Sequence, residues 1–256
     1  MAGKAVGAIL LMVGGMAAAE TNPLQVVVCA GQSNMQGDGQ VSELPAYLAA
    51  PQPDVLFFDG REWSPLAPGK TAPSPANFGP ELSFGKRFQA LVGENIGLIK
   101  HSKGTTNLAV DRNPDLPASL YQQLLAKVRT ARQTRPLEIV GMIWMQGERD
   151  TTREDWAEAY RDNLEALIAR ARKDFQSPGM FFVAGRVNPP NREWAPLVRA
   201  AQEHCSAPRY AWIDCDDLAG AENMHYGSWG YITMGNKFAD ALWKGMGEGA
   251  DPPSGD

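Results

Sequence analysis

Hydrophobic and polar positions divide the chain into two kinds of segment. Short runs of β-branched and aromatic residues predict buried strands, and stretches with apolar residues three or four positions apart predict amphipathic helices. The strand candidates lie at 26–28, 55–58, 95–100, 139–145, 180–184 and 210–213. The helix candidates lie at 80–92, 116–134, 153–175, 193–204 and 231–246.

The alternation of strands and helices predicts a parallel sheet that is covered by helices on both faces. We therefore expect an α/β fold, a three-layer α/β/α sandwich around a parallel sheet of about five strands. Ligands bind at the carboxyl ends of the strands in such sheets. Chemically active side chains should therefore directly follow strands.

The two ends of the chain differ from this pattern. Lys4 is followed by apolar or glycine residues at 5–16 and by alanines at 17–19, which predicts a cleavable signal peptide over residues 1–19. The apolar run is too short to span a bilayer comfortably, so we expect a periplasmic or secreted protein without stable membrane insertion. The domain would cover residues 20–247, and the Gly/Pro/Asp-rich residues 248–256 would form a flexible tail.

Composition excludes some partners and leaves other questions open. The net charge is −5 and basic residues do not cluster, which argues against a nucleic-acid partner. The three cysteines have no spacing typical of a zinc site. Cys205 and Cys215 are close enough in sequence to form a disulfide, and Cys29 is expected to pack as a small apolar side chain. Neither the disulfide nor the oligomeric state follows from the sequence.

Ser33 is the candidate nucleophile because it follows the first strand in a turn bounded by Gly31 and Gly37. Glycines permit the backbone angles of a sharp turn, and a serine there can point its hydroxyl out of the sheet. Such a serine needs a base, an orienting acid and oxyanion donors. Polar clusters that could supply them follow the other strands at 101–107, 146–150, 185–188 and 214–225.

His225 is the candidate base among the three histidines. It directly precedes the last helix, and Glu222 lies three residues upstream, a spacing that can bring a carboxylate to the imidazole. His101 follows a strand and could line the site. His204 lies within an amphipathic helix and is expected to lie at the surface or to pack.

Four motifs carry a resemblance to a known family. They are 31–37 (Gly-Gln-Ser-Asn-Met-Gln-Gly), 78–82 (Phe-Gly-Pro-Glu-Leu), 144–150 (Trp-Met-Gln-Gly-Glu-Arg-Asp) and His225-Tyr226 before Gly230. In this order they resemble the sialate O-acetylesterase-like group of SGNH hydrolases, which includes the acetyl xylan esterases of carbohydrate esterase family six. The resemblance implies a flavodoxin-like sheet. It also implies deacetylation of xylan, sialic acid or another glycan without a metal or a cofactor.

The resemblance also implies roles for individual residues. Ser33 would attack the ester, and His225 would accept and return the proton. The acid would be Glu222, where the group usually has Asp, with Glu148 as a rival. The oxyanion donors would be the backbone of Ser33, the backbone of Gly104 and the side-chain amide of Gln146. The residues at the substrate would be Gln32, Asn34, Met35 and Thr105.

Two other functions stay open. Thr105 stands where the group usually has a second glycine and Arg112 where it commonly has a tryptophan, which is compatible with a non-catalytic sugar-binding protein on an esterase scaffold. A short-chain lipid or acyl esterase would need an extended apolar trough. The long loop at 41–80 is rich in proline rather than leucine, which favours a short acyl group.

Overall fold

A computed structural model of the chain describes residues 22–247. The predicted signal peptide at 1–19 and the predicted tail at 248–256 lie outside the described residues. Within the described range, no helix has both the length and the apolar composition that a membrane span requires.

Nine strands form two sheets within residues 22–247. They are β1 (Leu24–Gly31), β2 (Gly39–Gln40), β3 (Gln52–Phe58), β4 (Trp63–Leu66), β5 (Asn77–Phe78), β6 (Ile96–Ser102), β7 (Leu137–Met145), β8 (Phe181–Gly185) and β9 (Tyr210–Ile213). The central sheet has seven strands in the order β4-β3-β6-β1-β7-β8-β9, and β2 pairs with β5 separately. All neighbours in the central sheet are parallel except β3 and β4.

Seven α-helices accompany the strands in the described part of the chain. They are α1 (Ser33–Gln36), α2 (Glu81–Val92), α3 (Leu120–Thr134), α4 (Glu154–Glu158), α5 (Tyr160–Asp174), α6 (Ala195–Glu203) and α7 (Ser228–Gly247). Helix α2 packs against α7, and α5 packs against α6. Val26, Val27 and Val28 of β1 are all fully buried. Because successive strand residues point to opposite faces, the sheet is covered on both sides.

The predicted α/β class and parallel sheet are confirmed, with seven strands in the sheet rather than about five. The unpredicted strand β4 is a four-residue antiparallel edge strand that contains Pro65. Proline is tolerated at a sheet edge but masks the strand pattern in a sequence. The helix predicted at 153–175 is divided into α4 and α5 at Ala159.

The strand order places a crevice between the loops that follow β1 and β7. These two strands are neighbours, but the chain leaves β1 towards β3 and β6 and leaves β7 towards β8 and β9. Connections that diverge in this way open a gap at the carboxyl ends of the strands, where ligands bind in doubly wound sheets. Ser33 lies two residues after the end of β1, and residues 146–150 directly follow β7.

The three cysteines are free thiols in the structure. The Cys29 side chain is fully buried, as expected for a small apolar residue. Cys215 is also buried and Cys205 is partly buried, and the two do not form a disulfide.

A buried ion pair connects α1, α2 and β6. Lys100 Nζ lies 2.7 Å from Glu81 Oε2, and the two side chains are 2% and 0% exposed. Lys100 Nζ also donates to the backbone carbonyl of Gln36 over 2.9 Å, and Thr71 donates its hydroxyl to Glu81. The pair therefore holds the end of the Ser33 turn against the sheet.

Lys100→Met should lower the free energy of unfolding by about 3–5 kcal/mol, because it leaves the Glu81 carboxylate buried without its counter-charge. The matched control is Arg87→Met, which breaks the Arg87–Asp240 pair, whose side chains are 49% and 52% exposed. The control should change the unfolding free energy by less than about 1 kcal/mol. Urea unfolding of both variants measures the difference, and equal effects would show that burial of the pair does not matter.

Candidate active site

The turn that carries Ser33 depends on two glycines. Gly31 has φ 153° and Gly37 has φ 94°. A Cβ at Gly31 would collide with the Met145 carbonyl, and a Cβ at Gly37 would collide with the backbone of Gly79. Ser33 begins the one-turn helix α1, and its backbone N–H has no acceptor among the described residues.

Three side chains form a hydrogen-bonded line at this turn. Ser33 Oγ lies 3.0 Å from Nε2 of His225. Nδ1 of the same imidazole lies 2.8 Å from Oδ2 of Asp38. His225 is 43% exposed and Asp38 is 52% exposed, so the line runs along the rim of the crevice. A serine, an imidazole and a carboxylate in this order have the geometry of a catalytic triad.

Asp38 was not among the residues expected from the sequence. Glu222 is exposed, and its Oε1 accepts a hydrogen bond from Nδ2 of Asn223 over 3.1 Å. The structure therefore does not show the expected pairing of Glu222 with His225. The carboxylate at Nδ1 of His225 is instead that of Asp38, in the loop after α1. Asp38 lies five residues after Ser33, between Gly37 and Gly39. This carboxylate so close to Ser33 was the sequence signal that could have identified the partner of His225.

Asn34 joins three loops around Ser33. Its Nδ2 donates to Glu148 Oε1 over 2.6 Å and to the Met224 carbonyl over 3.1 Å. Its Oδ1 accepts from the Tyr231 hydroxyl over 3.0 Å. Asn34 was expected to contact the substrate. In the structure it is 2% exposed and lies buried, where it connects parts of the chain.

Glu148 is a buried carboxyl at the base of the crevice. It is 3% exposed, and its second oxygen, Oε2, has no hydrogen-bond partner among the described residues. Burial raises the pKa of Glu148, while the hydrogen bond from Asn34 and the charge of His225 act in the opposite direction. Glu148 does not contact Nδ1 of His225, where the structure places Asp38.

Two of the three expected oxyanion donors are engaged. The Gly104 N–H donates to Gln36 Oε1 over 2.7 Å. Gln146 is fully buried, and its Nε2 donates to the Thr106 carbonyl over 3.0 Å and to Asp150 Oδ2 over 2.6 Å. The amide of Gln146 thus has no free N–H for a substrate, which contradicts its expected role. Of the three expected donors, the Ser33 N–H alone has no acceptor among the residues that the structure describes.

The buried groups beside Gln146 hold the loop after β6. Asp150 accepts hydrogen bonds from the backbone N–H groups of Leu108 and Ala109, and burial raises the pKa of Asp150 to about 7. Arg112 is 2% exposed and donates to the Gly31 carbonyl and to the Thr106 hydroxyl. Burial lowers the pKa of Arg112 to about 10. Arg112 thus connects this loop to the end of β1.

A cavity of about 190 Å³ opens at Ser33 and His225. Its lining residues are Gln32, Ser33, Thr105, Glu148, Arg149, Thr152, Arg192, Met224 and His225. Gln32 and Thr105, which were expected at the substrate, do line it. Met35 was expected there too, but its side chain is fully buried in the core.

The other histidines lie outside this cavity. His101 lines a separate cavity with Lys100 and Lys127, and burial lowers its pKa to about 4. His204 follows the last residue of α6. Within residues 22–247, no group of three or more His, Cys, Asp or Glu side chains is placed to hold a metal ion.

The chain is similar to a family of carbohydrate esterases. A family model described as "Carbohydrate esterase, sialic acid-specific acetylesterase" matches residues 23–244. A curated protein from Arabidopsis thaliana, named as a probable carbohydrate esterase, is 23% identical over 239 residues, which are 86% of this chain and 90% of that protein.

Two solved structures show the same fold. An X-ray structure of a protein from Arabidopsis thaliana has a TM-score of 0.77 at 21% identity and covers 87% of this chain and 98% of its own. A carbohydrate acetylesterase from Xanthomonas citri has a TM-score of 0.64 at 20% identity and covers 85% of this chain and 55% of its own.

A double-mutant cycle tests the hydrogen bond between Asn34 and Glu148. Because the bond is buried and one partner is a carboxyl group, Asn34→Ala and Glu148→Ala should show a coupling energy of about 1.5–3 kcal/mol in urea unfolding. Additive effects, with no coupling beyond about 0.5 kcal/mol, would mean that the two side chains act independently.

Proposed function

The chain belongs to the carbohydrate esterase family of sialic acid-specific acetylesterases, and from this premise we propose that it hydrolyses O-acetyl esters of sugars through Ser33, His225 and Asp38. Membership of the family makes it a carboxylic ester hydrolase. The observation that carries the proposed mechanism is the continuous line of contacts from Ser33 Oγ through the imidazole of His225 to Asp38, at 3.0 and 2.8 Å.

In the first half of the reaction Ser33 becomes acetylated. Its Oγ attacks the acetyl carbonyl carbon while His225 Nε2 accepts the hydroxyl proton. Asp38 holds Nδ1 and stabilises the imidazolium that forms. When the tetrahedral intermediate collapses, the bond to the sugar oxygen breaks, and His225 returns its proton to that oxygen. The sugar leaves with a free hydroxyl.

In the second half water removes the acetyl group. His225 accepts a proton from a water molecule, whose oxygen attacks the acetyl carbon. The bond to Ser33 Oγ breaks, Ser33 regains a proton from His225, and acetate leaves. The chemistry uses only side chains and backbone groups of the chain and water.

The negative charge of each intermediate needs hydrogen-bond donors. The Ser33 N–H is free and is the first donor. We infer that the Gly104 N–H becomes the second, because an oxyanion is a stronger acceptor than the neutral Gln36 oxygen that now holds it. Gln146 acts indirectly in this account, by holding the carbonyl of Thr106 and so the loop that carries Gly104.

The cavity favours acetyl over long acyl groups. Its volume of about 190 Å³ is small, and Met224 is the single apolar side chain among its lining residues. A lipid acyl chain would need a larger apolar surface. The hydrogen bond between Ser33 and His225 favours an enzyme over the non-catalytic sugar-binding alternative, because a nucleophile and its base are in contact.

Export to the periplasm or the medium is part of the proposal. It depends on the predicted signal peptide at residues 1–19, which precede the described residues. The N-terminal sequence of the mature protein, purified from the cell of origin, tests this part. A start near Glu20 is expected, and an intact Met1 would contradict it.

The kinetic test compares Asp38 with Glu222. On p-nitrophenyl acetate, Ser33→Ala should abolish turnover, and Asp38→Asn should lower kcat about 10²- to 10⁴-fold, because the imidazole loses its orienting charge. Glu222→Gln is the matched control, since that exposed carboxylate hydrogen-bonds Asn223 and no other residue of the described range, and it should stay within about threefold of wild type. A larger loss at Glu222 than at Asp38 would contradict the assignment.

Acyl length provides a separate prediction. Because the cavity is small and Met224 is the single apolar side chain that lines it, kcat/KM should fall at least about tenfold from p-nitrophenyl acetate to p-nitrophenyl octanoate. Acetate and octanoate release by wild-type enzyme measure this ratio. A preference for octanoate would favour the lipid esterase reading instead.

A further inference from the structure

The first turn of helix α7 lies against the Asp38 segment, which we define as residues 37–43. Ser228 begins the helix and is 6% exposed. Its Oγ accepts a hydrogen bond from the backbone N–H of Gln40 over 2.9 Å and donates to Oε2 of Glu43. Because Glu43 takes the hydroxyl proton, a lone pair of the oxygen stays available for the Gln40 N–H. One buried hydroxyl thus ties the Asp38 segment to α7 at two points.

His225 lies on the same stretch of chain as Ser228, three residues before it. The backbone between them is held at Gly227, whose N–H donates to the Ala219 carbonyl over 2.8 Å. The Gly227 carbonyl accepts from the N–H of Tyr231 over 3.0 Å, which joins this stretch to the helix. A shift of Ser228 would therefore move the imidazole relative to the Asp38 segment.

The contact between Asp38 and His225 needs such a constraint. The two side chains are about half exposed, and an exposed pair is screened by water and salt. A catalytic group must nevertheless be held to within about 0.5 Å of its productive position. Hydrogen bonds of a buried hydroxyl are not screened in this way and are costly to break. The buried contacts of Ser228 can therefore fix a geometry that the exposed pair cannot maintain alone.

We propose that Ser228 is a positioning residue of the esterase, whose hydroxyl holds the Asp38 segment against α7 and so keeps the Asp38 carboxylate on Nδ1 of His225. This inference rests on the proposed function, in which Asp38 orients the imidazole. Ser228 is not among the residues that line the cavity at Ser33, so it acts without touching the substrate.

Ser228→Ala removes the hydroxyl without adding bulk. On p-nitrophenyl acetate it should lower kcat about 5- to 30-fold, because the carboxylate remains but is held less precisely. This loss should be smaller than that of Asp38→Asn. KM should stay within about threefold of wild type, because no group that contacts the substrate is lost.

Ser119→Ala is the matched control at the start of another helix. Ser119 is 8% exposed, and its Oγ accepts from the backbone N–H of Gln122 over 3.3 Å in the first turn of α3. Both variants should lower the midpoint of thermal unfolding by roughly 2–4 °C. The control should keep the wild-type kcat, and equal losses of kcat in the two variants would overturn the positioning role.

A double-mutant cycle shows whether Ser228 acts through Asp38. In the Asp38→Asn background, Ser228→Ala should change kcat by less than about twofold, because the carboxylate that it positions is already absent. If the two losses multiply in full, Ser228 acts independently of Asp38 and the inference is wrong.

The ¹⁵N chemical shifts of the His225 ring provide a readout that does not require turnover. Wild type and Ser119→Ala should carry the proton of the neutral ring on Nδ1, and Ser228→Ala should show a mixture of the two tautomers. A ring in Ser228→Ala that matches wild type would overturn the inference.

The two readouts separate this inference from the esterase function. If wild type releases acetate and Ser228→Ala has the wild-type kcat and ring, the esterase function stands and the role of Ser228 fails. If wild type releases no acetate from p-nitrophenyl acetate, the proposed function fails, and the ring still shows whether Ser228 holds Asp38 on His225.

Discussion

The side-chain amide of Asn34 is the constraint on which the site depends. One planar group donates to Glu148 in the loop after β7 and to the carbonyl of Met224, the residue before His225. Because Asn34 also follows Ser33 directly, the amide fixes Ser33 and His225 relative to each other. Buried hydrogen bonds in a low dielectric are strong and costly to break. The 3.0 Å contact between Ser33 and His225 thus depends on a residue that does not line the cavity at Ser33.

The charged groups around the turn divide into two roles. The Lys100–Glu81 pair is buried behind the turn, where loss of one partner would leave an uncompensated charge. The Asp38–His225 contact lies at the rim, with both side chains about half exposed. An exposed pair contributes little to stability. In the proposed mechanism its effect is to select the tautomer of the imidazole in which Nε2 can accept the proton of Ser33.

Much of the fold could be predicted because the alternation of buried strands and amphipathic helices is a local pattern. The contact between Ser33 and His225 could be expected because a parallel sheet brings the residues after its strands to one edge. Asp38, in contrast, could not be assigned from spacing. Glu222 is nearer to His225 in sequence, but only the three-dimensional course of the loop after α1 decides which carboxylate reaches Nδ1. The use of both Gln146 N–H groups by Thr106 and Asp150 is likewise a tertiary contact without a sequence pattern.

The ¹⁵N chemical shifts of the His225 ring test the central claim most directly. If Asp38 orients the imidazole, the neutral ring of wild type carries its proton on Nδ1, and this proton moves or is shared in Asp38→Asn while Glu222→Gln leaves it in place. A wild-type proton on Nε2, or a tautomer that changes in Glu222→Gln and not in Asp38→Asn, would contradict the account.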